Sequence, residues 1–170
     1  MIRIKDKDWR LIEEDGIVTL LCPNALDIYI SEQKIHRLVA PQAEDVCCPR
    51  NCLIEVDCPV AKRISCNENK IERINCPKVN TLICDKNQLT EIIAPKAISI
   101  NCQYNPDLEF IHAPRLKYLC YDGKPETEIP MDLTDPTIRT GYYGIVSNYQ
   151  FIVSWLMSLK GGQVKSARKV

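Results

Sequence analysis

Ten cysteines and two histidines are the residues of this chain whose types could do chemistry. Cys47, Cys48, Cys52 and Cys58 lie close enough together to suggest a zinc site, where thiolates at short spacing converge on one tetrahedral ion. Their wider spacing points elsewhere. Cys48, Cys66, Cys84 and Cys102 recur every eighteen residues, and Cys22, Cys58 and Cys76 fall on a second column of the same period. Eighteen is a structural period, not ligand geometry, and cysteine packs well as a small hydrophobe. Only Cys47, Cys52 and Cys120 stand outside the two columns. The expectation is therefore a set of core thiols, with no metal and no disulfide framework. The opening MIRIKDKDWR lacks the apolar run of a secretory signal, so a reducing, cytoplasmic setting is expected.

The remaining candidates form no catalytic set. His36 is expected in an exposed turn after Ile35 and His112 beside Ala113, neither with a sequence-visible nucleophile. There is no G-x-S-x-G, P-loop or dinucleotide fingerprint. Asp and Glu read as solvated turn charges, and Glu13-Glu14-Asp15 as an exposed turn. No enzyme and no cofactor are expected. Lys plus Arg equals Asp plus Glu, at 22 each, without the basic surplus of a general nucleic-acid binder. Apolar residues make up 45% of the 170, enough for a continuous core, yet no apolar run is long enough for a membrane span.

Written in rows of eighteen from Asp27, Asp45, Arg63, Thr81 and Ser99, the chain aligns with itself. Place two of each row holds Ile28, Val46, Ile64, Leu82 and Ile100. Place four holds Ile30, Cys48, Cys66, Cys84 and Cys102, and place seven holds Gln33, Asn51, Asn69, Asn87 and Asn105. Place nine is Ile35, Leu53, Ile71 and Leu89, with Leu108 one residue late after the Asn105-Pro106-Asp107 bend. Place twelve is Leu38, Val56, Ile74, Ile92 and Ile111. A small residue and a proline follow: Ala40-Pro41, Cys58-Pro59, Cys76-Pro77, Ala94-Pro95 and Ala113-Pro114. A weaker row, Trp9 to Leu26, precedes these, and a partial one with Leu119, Tyr121, Ile129 and Pro130 follows.

Alternate apolar residues at places two and four predict a short strand, and proline at place fifteen excludes a long helix later in the row. Each coil should carry a parallel strand on one side and extended or turn structure on the other, rising about 4.8 Å per coil. The asparagines at place seven are expected to point inward, where an amide can donate and accept, satisfying backbone groups at the turn. The segment Leu82-Ile83-Cys84-Asp85-Lys86-Asn87-Gln88-Leu89 resembles the leucine-rich-repeat core L-x-L-x-x-N-x-L. With Thr90-Glu91-Ile92 and Ala94-Pro95 it looks like the short proline-bearing repeats of bacterial, protist and large-DNA-virus members. The repeat is shorter than that family's norm, and Cys stands where Leu is usual. The resemblance implies a mainly β, right-handed solenoid and protein–protein recognition.

The expected organisation is a lead-in at 1–8, a solenoid of six full repeats and the start of a seventh at 9–122, a linker loop at 123–143, a helix at 144–160 and a basic tail at 161–170. Ile145, Tyr149, Ile152, Val153, Leu156 and Leu159 recur at helical spacing, as for a helix that caps the open end of the solenoid or docks a partner. If places two and four point inward, places one and three point out. That puts Trp9, Leu11, Tyr29, Ser65, Ile83, Asn101 and Tyr118 on one face, with Lys78, Lys96 and Arg115 as a basic stripe along its edge. The expected role is a monomeric protein-interaction module using that face. The rival is a structural component of a larger assembly, such as a large-DNA-virus particle.

Overall fold

A computed structural model describes residues 2–121 and the strand Arg139–Thr140. It is a β-solenoid of about six turns with parallel strands at eighteen-residue spacing. Its chain begins with β1 (Ile2–Ile4), β2 (Arg10–Glu14) and β3 (Ile17–Leu21). Each coil then contributes a strand to either side. One side carries β4 (Asp27–Ile30), β6 (Asp45–Cys47), β8 (Arg63–Ser65), β10 (Thr81–Ile83), β12 (Ser99–Asn101) and β14 (Tyr118–Cys120). The other carries β5 (Arg37–Val39), β7 (Glu55–Asp57), β9 (Arg73–Asn75), β11 (Glu91–Ile93) and β13 (Phe110–His112).

The first set forms an eight-stranded sheet, ordered β1-β4-β6-β8-β10-β12-β14-β15, where β15 is Arg139–Thr140. The opposing side is split into a four-stranded sheet, β2-β3-β5-β7, and a three-stranded one, β13-β11-β9. Registers follow the period: Asp45 pairs with Arg63, Arg63 with Thr81 and Thr81 with Ser99. The extra residue is absorbed where a turn closes from Leu108 N–H to Asn105 O at 3.2 Å, so Ser99 pairs with Tyr118.

Places two, four, nine, twelve and fourteen meet between the sheets in one cluster; Ile30, Cys48, Cys66, Leu82, Cys84, Leu89 and Ile92 are fully buried there. The proline has a positive role besides excluding helix. In the coils from Ala40 to Leu116 the residue two after the proline donates back to the carbonyl of the residue before it, as Ala97 N–H does to Ala94 O at 2.9 Å. Proline thus takes the second position of a tight turn, where its fixed φ is already correct. That turn folds place seventeen inward, and Ala43, Ala61, Val79, Ala97 and Leu116 form a core column that the sequence reading did not single out.

The N-terminal row departs from expectation. Trp9 to Leu26 was expected to form a weak parallel coil. Instead β2 and β3 make an antiparallel hairpin through Asp15 and Gly16, with φ of 51° and 76°. An Asp-Gly pair with positive φ at both residues suits a two-residue hairpin, whose twist matches its flanking strands. The expected lead-in contains β1, which pairs antiparallel with β4 and covers that edge of the large sheet. The expected linker contains β15, paired parallel with β14. The expected helix at 144–160 and the basic tail lie outside the described residues.

Candidate functional site

The asparagine column faces inward from Asn69 onward and carries a repeated bonding pattern. The Asn69 amide donates to Cys48 O at 3.0 Å and Cys66 O at 2.9 Å, while its Oδ1 accepts from Leu53 N–H at 3.0 Å. Asn87 donates to Cys66 O and Cys84 O, each at 3.0 Å, and accepts from Ile71 N–H at 3.1 Å. Asn105 repeats this with Cys84 O, Cys102 O and Leu89 N–H. Asn51, half-buried, makes the same donations to Ile30 O and Cys48 O and accepts from the Gln33 N–H at 2.9 Å. Gln33, one methylene longer, is exposed and bonds back to Ser31 O and Glu32 O. The residue before each of these is left-handed: Glu32, Arg50, Glu68, Lys86 and Tyr104 have φ of 52–59°. Such a conformation costs about 1–2 kcal/mol in a residue with a Cβ, and the amide ladder offsets it.

The thiols lie where the period put them. Cys22, Cys48, Cys66, Cys84 and Cys102 are fully buried, and Cys58 and Cys76 nearly so. Burial pushes the Cys22 and Cys76 thiols up to about 12 and holds Cys48, Cys58, Cys66 and Cys84 well above the usual thiol range. These groups are poor nucleophiles and poor ligands. Among the described residues no cluster of His, Cys, Asp or Glu could hold a metal ion. His36 was expected in an exposed turn; it is half-buried, and its Nδ1 accepts from the Val18 N–H at 3.0 Å while its own N–H donates to Val18 O at 2.8 Å. It ties the hairpin to the first full coil. Asp6 ties the lead-in to the turn after β3: the Asp8 and Asn24 N–H groups donate to its carboxyl and hold it below the ordinary carboxylate range.

The acidic and basic residues are not scattered. Along place six, Glu32, Arg50, Glu68 and Lys86 alternate in sign from coil to coil, and along place eleven Arg37, Glu55, Arg73 and Glu91 do. Ion pairs join Glu32 to Arg50 at 3.3 Å, Glu68 to Lys86 at 3.7 Å, Arg37 to Glu55 at 3.3 Å and Arg73 to Glu91 at 4.0 Å. Glu44 pairs with Lys62 at 2.7 Å, and Arg63 donates through Nε and Nη2 to the two carboxylate oxygens of Asp45. Each exposed pair is worth little. Repeated up a column they penalise slippage by one coil, because a slip sets like charges together. Reading the rows column by column for charge as well as for apolar residues finds this pattern.

The expected partner face divides into three groups. Trp9 immediately precedes β2 and Leu11 lies within it, so both belong to the hairpin on the opposing sheet and are separated from the face of β4 to β14. Tyr29, Ser65, Ile83, Asn101 and Tyr118 do share the outward side of the large sheet. Yet Ser65, Ile83 and Asn101 are buried, Tyr29 is half-buried, and only Tyr118 is well exposed. The edge of the face is open. Lys78, Lys96 and Arg115 occupy place sixteen of three successive coils and are all exposed, as is Lys117. None of them enters an ion pair among the described residues, whereas Lys62, one coil before Lys78 in place eighteen, is held by Glu44. Beside them Ile98 is 41% and Tyr118 58% exposed. The sequence reading missed Ile98, which sits where neighbouring coils carry Lys62, Asn80 and Lys117. Comparison with family models, with curated proteins and with solved structures finds no match to this chain.

Proposed function

We propose that the chain is a non-catalytic recognition module, a right-handed coil of the leucine-rich-repeat type that holds a protein partner along one edge of its large sheet. The observation that carries this reading is the open row Lys78, Lys96 and Arg115, flanked by Ile98 and Tyr118. Cations stacked about 4.8 Å apart on a rigid frame match carboxylates on a partner surface. An exposed aliphatic and an exposed aromatic residue beside them supply the apolar contact that recognition needs. The partner is met at the edge of the strand face rather than at its centre, since Ser65, Ile83 and Asn101 are buried.

The non-catalytic reading is supported by the structural employment of the core thiols and of His36. The core thiols are held protonated by burial, and His36 spends its Nδ1 on a backbone N–H. The leucine-rich-repeat type is supported by the Leu82 to Leu89 pattern and by the inward Asn87 at its centre. The right-handed sense is the one that parallel crossover connections nearly always take.

Crosslinking mass spectrometry in the native source tests the reading. Crosslinks should concentrate on Lys78, Lys96 and Lys117. Reversing Lys78→Glu and Lys96→Glu together should weaken capture of the crosslinked partner about tenfold, from two charge contacts of about 0.5–1 kcal/mol each. The melting temperature should be unchanged, because neither side chain is buried. Equal capture by the double variant would refute the edge as the binding site.

A further inference from the structure

The four-stranded sheet stops at β2, and that edge is open. Among the described residues no strand pairs with the far side of β2, and its Arg10, Glu13 and Glu14 are exposed and enter no ion pair. Which backbone groups face the open side follows from the neighbouring strand. Val18 spends its N–H on His36 Nδ1 at 3.0 Å and its carbonyl on the His36 N–H at 2.8 Å, both toward β5. Ile17 and Thr19 on either side of it therefore turn their backbone groups toward β2, where they pair with Glu14 and Ile12. By the same alternation the N–H and C=O groups of Leu11 and Glu13 point away from the sheet. Leu11 is also 49% exposed, although it lies opposite Leu20, which is fully buried. Trp9, just before the strand, is 38% exposed. Free main-chain groups beside exposed apolar ones make a template for a further strand.

We propose that this edge joins two copies of the chain, β2 against β2, into a two-fold dimer. The strand selects a second copy over a foreign partner, because Arg10-Leu11-Ile12-Glu13-Glu14 is complementary to itself. A two-fold interface needs such a surface. Laid antiparallel about an axis at Ile12, Arg10 of each copy faces Glu14 of the other, so both ends of the strand close on opposite charges. Leu11 faces Glu13, and these are the residues whose backbone groups are free to bond. Ile12 faces its own counterpart, and Leu11 lies diagonal to Leu11 of the other copy, within reach of an aliphatic side chain. Sliding the strands by one step of the pleat either way loses both charge pairs. One slide sets Glu13 against Glu13, and the other sets Asp8 against Glu14. The other edge at this end, β1 of the large sheet, lacks the property, since its middle residue Arg3 faces itself. The dimer merges the two four-stranded sheets into one. Lys78, Lys96 and Arg115 belong to coils distant from β2, so each dimer presents two basic edges.

Sedimentation of the full chain in reducing buffer tests this. The parent should run as monomer and dimer in exchange, shifting to dimer as concentration rises. Arg10→Glu alone and Glu14→Arg alone each set like charges together at both ends of the paired strands. Each should raise the dimer dissociation constant at least about tenfold. Mixed in equal amounts, the two variants should pair with each other, because each supplies the charge that the other lacks. Glu13→Pro removes an N–H that serves no bond within the chain, at an edge where proline is tolerated. It should abolish the dimer while the circular dichroism spectrum and the melting temperature stay close to those of the parent. A parent that is monomeric at every concentration overturns the proposal. So does undiminished association of either single-charge variant or of Glu13→Pro, and so does a mixture that fails to associate when the parent dimerises.

Discussion

Replacing Asn87 by alanine removes one rung from the middle of the amide ladder, and its cost can be worked group by group. Four contacts vanish: donations to Cys66 O, Cys84 O and Asp85 O, and acceptance from the Ile71 N–H. The first two carbonyls are not orphaned. Cys66 O keeps the Asn69 amide at 2.9 Å, and Cys84 O keeps Asn105 at 3.1 Å. The Ile71 N–H loses its acceptor at a residue with no exposure, and an unpaired buried donor costs about 1–3 kcal/mol. The expected loss is therefore about 1–3 kcal/mol, and Gln88→Ala, at an exposed neighbour, should cost far less. Urea unfolding followed by circular dichroism measures both; with a slope near 2 kcal/mol/M, Asn87→Ala should lower the midpoint by roughly 0.5–1.5 M. Asn51→Ala should cost less than Asn87→Ala, because its Oδ1 serves the exposed Gln33. Equal, small midpoint shifts for Asn87→Ala and Gln88→Ala would show that the ladder is not what holds the turns.

Alkaline pH should unfold the coil. Cys22, Cys47, Cys48, Cys58, Cys66, Cys76 and Cys84 all hold their protons to higher pH folded than unfolded, so stability is intact below about 8.5 and falls above it as the unfolded thiols ionise. Each contributes up to about 1.4 kcal/mol per pH unit; in reducing buffer the melting temperature should drop steeply between about pH 9 and 10.5, and a flat profile there would contradict the buried columns. His36→Ala should cost about 1 kcal/mol and speed hydrogen exchange in Ile17–Leu21 while leaving β10 to β12 unchanged, as separable local opening requires; uniform acceleration would mean that His36 supports the whole coil rather than the hairpin.

Much of the frame was legible because a solenoid turns sequence spacing into spatial adjacency. Residues eighteen apart lie one above another, so the columns of Ile64, Leu82 and Ile100, and of Cys48, Cys66 and Cys84, declare the core without any fold being known. The inward asparagines followed from the same arithmetic, since a polar residue kept in register with apolar columns must satisfy backbone at a turn. The alternating charges of places six and eleven were equally readable and went unread, because each residue taken singly looks like solvated surface.

Tertiary structure decided what a period cannot express. Alternation in Arg10–Glu14 and Ile17–Leu21 suits a parallel coil and an antiparallel hairpin equally, and only the choice of hydrogen-bonding edge separates them; that choice moved Trp9 and Leu11 to the opposing sheet. Place three points outward by backbone geometry alone, but exposure depends on what packs over it. Ile83 and Ile93 are the same residue on middle strands of the two sides, and one is buried while the other is half-buried. Periodicity reports the direction of a side chain within its own coil, whereas burial is set by contacts between segments distant in the chain.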